Sequence, residues 1–107
     1  MQSTVRDGID HIDESELEVW DQFIGRLVKS VDLSQTDARD DTVAVTVATC
    51  PNIEYLDLHD SKVTDSSVNE IIRGLPQLLW LNIDETAITG DGVENLGKAY
   101  PNLELLG

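Results

Sequence analysis

Residues able to do chemistry are sparse in this chain. The one thiol, Cys50, and the two imidazoles, His11 and His59, share no spacing that builds a metal site or activates a nucleophile. The chain has no Cys-x-x-Cys, no nucleophile elbow and no Gly-rich loop ending in Lys-Ser or Lys-Thr. Catalysis needs a convergent acid, base and nucleophile, or a metal. We therefore expect a non-enzymatic protein with no cofactor and no metal. Carboxylates, by contrast, are abundant: 21 Asp and Glu stand against 7 Lys and Arg, a net charge of −14. That field repels phosphates, so nucleic acid and anionic membrane are not expected as partners. It suits a protein partner with a basic surface, a cation, or a high-salt environment, in which acidic, lysine-poor surfaces are common.

The elements that must position these acids come from a repeat. Pro51, Pro76 and Pro101 stand 25 residues apart and open near-copies: Pro-Asn-Ile-Glu-Tyr-Leu-Asp-Leu, Pro-Gln-Leu-Leu-Trp-Leu-Asn-Ile and Pro-Asn-Leu-Glu-Leu-Leu. A fixed period of this size marks stacked units that bury a continuous core. In the unit at 51–75, Ile53, Leu56 and Leu58 predict a short strand. Thr64 or Asp65 can cap a helix whose Val68, Ile71, Ile72 and Leu75 face inward. The unit at 76–100 repeats the scheme: Leu78, Leu81 and Ile83 form the strand face. Thr89 or Asp91 caps, and Val93, Leu96, Ala99 and Tyr100 line the helix. Residues 28–50 form a degenerate first copy, with Val31 and Leu33 on Leu56 and Leu58, and Asp40 on Asp65. There the alternating β-branched run at 42–49 favours a strand by local propensity, but the repeat spacing predicts a helix. Cys50 falls on Leu75 and Tyr100 and is read as a buried, inert thiol.

Ahead of the repeats, Asp13-Glu14-Ser15-Glu16 and the spacing of Leu17, Trp20, Ile24 and Leu27 predict an amphipathic helix over 14–27 that caps the core. The chain thus divides into a tail and capping helix at 1–27, and three repeats plus a terminal strand at 28–107. Leu103 and Leu106 are expected at core positions of that strand and Leu105 on its outer side. An uncovered apolar edge of this kind invites self-association, as a homodimer.

Side chains alternate along a strand, so residues between the inward leucines form columns on the opposite side. One column reads Ser30, Tyr55, Trp80 and Leu105; the next reads Asp32, Asp57 and Asn82. Beyond them lie Ser34, His59 and Asp84, then Gln35, Asp60 and Glu85. Neighbouring exposed aromatics flanked by acids point to a binding surface carried by Tyr55, Asp57, His59, Asp60, Trp80, Asn82, Asp84 and Glu85. Two other readings compete. A plain solvated face is affordable, since carboxylates about 5 Å apart in water repel by only ~0.8 kcal/mol. A cation site on Asp32, Asp57 and Asp84 is disfavoured, because side chains on a flat sheet converge poorly on one ion.

The Leu-x-x-Leu-x-Leu pattern of Ile53, Leu56 and Leu58, and of Leu78, Leu81 and Ile83, resembles leucine-rich repeats. Ser61-Lys-Val-Thr-Asp65 and Thr86-Ala-Ile-Thr-Gly90 resemble the loop of the cysteine-containing and bacterial, planctomycete-like subclass. The resemblance implies an α/β fold: a short right-handed solenoid, with a parallel sheet on the concave face, helices on the convex face, and protein–protein interaction as its use. Thr36, Ser61 and Thr86 stand where this family often has Asn, and their hydroxyls are expected to bond loop backbone. The lone cysteine and the absence of an apolar leader or membrane-length run fit a cytoplasmic protein.

Overall fold

The computed structural model describes residues 23–107. Four three-residue strands alternate with three ten-residue helices: β1 (Ser30–Asp32), α1 (Asp40–Thr49), β2 (Tyr55–Asp57), α2 (Asp65–Gly74), β3 (Trp80–Asn82), α3 (Gly90–Ala99) and β4 (Glu104–Leu106). The strands form one parallel sheet in the order β1-β2-β3-β4, so each strand–helix unit lies beside the next. Within each of β1–β3 the central residue, Val31, Leu56 or Leu81, turns towards the helices, and its two neighbours turn away. Leu56 and Leu81 are fully buried with Ile53, Leu58, Ile71, Leu75 and Leu96. Each such side chain contributes about 1.5–3 kcal/mol.

The run at 42–49 is helical, as the spacing predicts. Val43 and Val47, one helical turn apart, reach the core, while Val45 between them is exposed. Thr46 and Thr49 return their hydroxyls to the carbonyls of Thr42 and Val45, each at 2.8 Å. Packing of α1 on α2 thus outweighs the strand propensity of the β-branched residues.

Four expectations need correction. First, β4 pairs one residue short of the 25-residue step: Trp80 lies beside Glu104, Leu81 beside Leu105 and Asn82 beside Leu106. A one-residue slip turns every side chain to the other face. Leu105 therefore packs on the core beside Leu103, while Leu106, expected inside, faces out and is 39% exposed. Gly107 follows with φ at 131° and sits so close to Asp84 N that a β-carbon would lie 2.9 Å from it. Second, α3 buries only Gly92 and Leu96. Val93 and Ala99 are exposed: among the described helices only α2 packs on α3. Third, Cys50 is half-buried at the core margin.

Fourth, most of the helix expected over 14–27 lies outside the described residues; residues 23–27 are helical. There Ile24 and Leu27 are 54% and 63% exposed. The contact runs through Gly25, which abuts the Thr49 carbonyl too closely for any side chain, and through Val28 on the core. Among the described residues no helix is long and apolar enough to cross a membrane.

Candidate functional site

The face of the sheet turned away from the helices collects the predicted side chains. Strand pairing sets Ser30, Tyr55 and Trp80 side by side, and likewise Asp32, Asp57 and Asn82. Tyr55 is 47% exposed, and Trp80 beside it is half-buried. The fourth member of the aromatic column is Glu104 rather than Leu105, so the stripe ends in another acid.

Each strand then leaves the sheet through the same turn. The side-chain Oδ1 of Asp32, Asp57 and Asn82 accepts the backbone N–H of Ser34, His59 and Asp84, at 2.9, 3.0 and 3.0 Å. The Ser34 hydroxyl also donates to Asp32 Oδ1 at 2.5 Å. The Ser34 hydroxyl bond, and then its backbone bond, hold Asp32 below the ordinary carboxylate range. Next come Gln35, Asp60 and Glu85, all in the left-handed region with φ of 55°, 56° and 58°. None is glycine, so each carries a steric cost of about 1–2 kcal/mol. For Gln35 and Asp60, bonds to the next unit offset it: Gln35 N–H donates to His59 O and Asp60 N–H to Asp84 O, at 2.7 and 2.9 Å. The hydroxyls of Thr36, Ser61 and Thr86 then donate to Leu33 O, Leu58 O and Ile83 O at 2.6–2.7 Å, which closes the loop within its own unit.

His59 lies between two acids of the next unit. Its Nδ1 is 3.9 Å from Asp84 Oδ2, and its Nε2 is 3.4 Å from Glu85 Oε1. Nδ1 is enclosed and makes no hydrogen bond. One ligand atom from each of the three residues can be chosen within 4.8 Å of the others, so among the described residues this is the set that could hold a cation. The two nitrogens of one ring point opposite ways, however, so a single ion can use only one of them. As placed, a protonated ring would serve both carboxylates. Asp32, Asp57 and Asp84 do not form such a group: the third member of the Asp32 column is Asn82, and Asp84 belongs to the His59 cluster.

Two further acids hold the units in step, and the sequence marks them only as an aligned pair. Asp40 Oδ1 accepts from Thr64 N–H at 2.8 Å and from the Ser67 hydroxyl at 2.6 Å, and Oδ2 accepts from the Thr64 hydroxyl at 2.5 Å. Asp65 repeats this on Thr89 N–H and hydroxyl, at 2.8 and 2.5 Å. Burial works against the charge on Asp40, but the bonds from Ser67 and Thr64 overcome it and leave its pKa lowered. Asp65 is lowered chiefly by the Thr89 hydroxyl. Gly90 occupies the equivalent place in the third unit and has no side chain to continue the ladder.

Two shallow depressions mark this side. One, of about 270 Å³, is lined by Ser30, Val31, Asp32, Tyr55, Asp57 and Trp80. The other, of about 310 Å³, lies over the turns between Gln35 and Lys62. Comparison with known proteins returns no matching family model, no matching curated protein and no matching solved structure.

Proposed function

We propose that the chain is a leucine-rich-repeat solenoid acting as a non-enzymatic interaction module, and that it binds a protein with a basic surface through the open, concave face of its sheet. The observation that carries this reading is the pair of aligned columns. Tyr55 and Trp80 stand beside Asp32, Asp57 and Asn82, and no Lys or Arg occupies an outward position of β1–β3. Aromatic side chains supply anchoring area at low entropic cost, and the acids supply steering and register. Around them Asp60, His59, Asp84 and Glu85 extend the acidic rim. Recurrence of the strand–helix unit at 25 residues supports the family reading, because the helix starts Asp40, Asp65 and Gly90 keep the same step.

The test is calorimetric titration of the whole chain with peptides of constant length and rising lysine content. Affinity should climb with peptide charge, and should fall when Asp57→Asn, Asp84→Asn and Glu85→Gln are combined. An affinity indifferent to peptide charge would sink the proposal.

A second reading, self-association of a repeat fragment with a high-salt acidic surface, is favoured by one observation. β4 ends the sheet with Leu106 exposed beside an unpaired edge among the described residues. Sedimentation of the full chain across a range of concentrations, with Leu106→Lys as control, separates it from the first. A sedimentation coefficient constant with concentration removes it.

A further inference from the structure

We propose that the depression between Asp32, Tyr55, Asp57 and Trp80 receives an arginine side chain of the partner, a proposal that rests on reading this face as the interaction surface. Its shape comes from one small residue. Ser30 shares a column with Tyr55 and Trp80, so the aromatic stripe stops at β1 and opens a hollow of about 270 Å³ over Val31. One wall is aromatic. The other is a pair of carboxylates on adjacent strands, which lie about 4.8 Å apart.

Those carboxylates are set for an incoming donor. The bonds from Ser34 and His59 all fall on Oδ1 of Asp32 and Asp57, and Oδ2 of each accepts no hydrogen bond from a described residue. The turn thus fixes each carboxylate through Oδ1 and leaves Oδ2 without a hydrogen-bond partner among the described residues. Neither Asp is in an ion pair among the described residues, whereas Lys29, Lys62, Arg73 and Lys98 are all engaged with other acids. None of the described residues that line this hollow is basic.

Aromatic and acid walls at right angles in function select between the two basic side chains. A guanidinium is flat and weakly hydrated; it stacks on an aromatic ring while its in-plane N–H groups fork onto carboxylates. A lysine ammonium is a compact, strongly hydrated point charge that uses the acids but gains little from the rings. A partner chosen by charge alone would not need Tyr55 and Trp80 here.

The experiment uses the whole chain and two fluorescent peptides of identical length and charge, one with arginine and one with lysine at every basic position. Binding is followed by polarisation at physiological salt. The arginine peptide should bind about tenfold more tightly. Trp80→Ser, which puts the residue of the first unit into the third, should bring it to the level of the lysine peptide and leave the latter unchanged. Tyr55→Ser, at a more exposed position, should do the same and guards against misfolding of the Trp80 variant. Equal affinity for the two peptides overturns the arginine proposal while the basic-partner reading stands. An arginine preference that survives both serine substitutions in folded protein also overturns it. Failure of both peptides to bind overturns the two readings together.

Discussion

Asp40→Ala should be among the most damaging single changes to a polar residue in this chain. The carboxylate takes three hydrogen bonds from the next unit: from Thr64 N–H, from the Thr64 hydroxyl and from the Ser67 hydroxyl. Ser67 is fully buried, so its stranded hydroxyl alone costs about 1–3 kcal/mol. The two Thr64 donors are partly buried and together add about 1 kcal/mol, for a total of about 2–4 kcal/mol. Asp40→Asn separates geometry from charge. Its amide oxygen can keep the Thr64 N–H and Ser67 bonds, and its NH₂ can donate to the Thr64 oxygen. Only the charge assistance is lost, about 1 kcal/mol. Urea unfolding followed by far-ultraviolet circular dichroism measures both, with an unchanged slope and a lowered midpoint expected. The proposed binding face is tied to the same bonds, because they hold the start of α2 against α1 and so bear on the step between strands that aligns the aromatic and acidic columns. Asp40→Ala within 0.5 kcal/mol of the parent, a difference on the order of measurement error, would refute the argument. Equal loss in Asp40→Ala and Asp40→Asn would show that charge, not bonding geometry, carries the effect.

Three further outcomes are expected. Asp40 and Asp65 both have folded pKa values below the ordinary 3.8, so their contribution is complete above that value and is lost as the pH falls below it. Thermal midpoints taken from neutral to strongly acidic pH should therefore drop in that window, and less steeply in Asp40→Asn. Burial raises Tyr100 from 10.0 to about 12, and its hydroxyl meets the carbonyls of Ile71 and Leu75 at 2.9 and 2.8 Å. Its stabilisation is present below 10.0 and fades as the pH rises towards 12; ultraviolet titration should show one late-ionising tyrosine, absent in Tyr100→Phe, which should itself cost about 1 kcal/mol. Leu81→Ala should cost about 2–5 kcal/mol in urea unfolding, whereas Trp80→Ser, on the opposite side of the same strand, should cost about 1 kcal/mol or less. Equal losses at the two positions would mean that Trp80 belongs to the core.

Much of this arrangement was legible in the residues. Leucine spacing around Leu56 and Leu81 placed the strands, and the 25-residue step placed Tyr55 on Trp80 and Asp57 on Asn82, because alternation and period are local properties of the chain. The same step overrode propensity correctly at 42–49. It failed at β4, where the identity of the side chains permits either face and the hydrogen bonds to β3 choose Leu105 over Leu106. It was silent on what Asp40 and Asp65 bind, since their partners lie 24–27 residues away in the next unit. It could list His59, Asp84 and Glu85 as neighbours but not turn one imidazole between two acids. Period and alternation can be read along one chain; the register of an end strand and the partner of a carboxylate are settled only when separate stretches compete for the same hydrogen bonds and the same buried space.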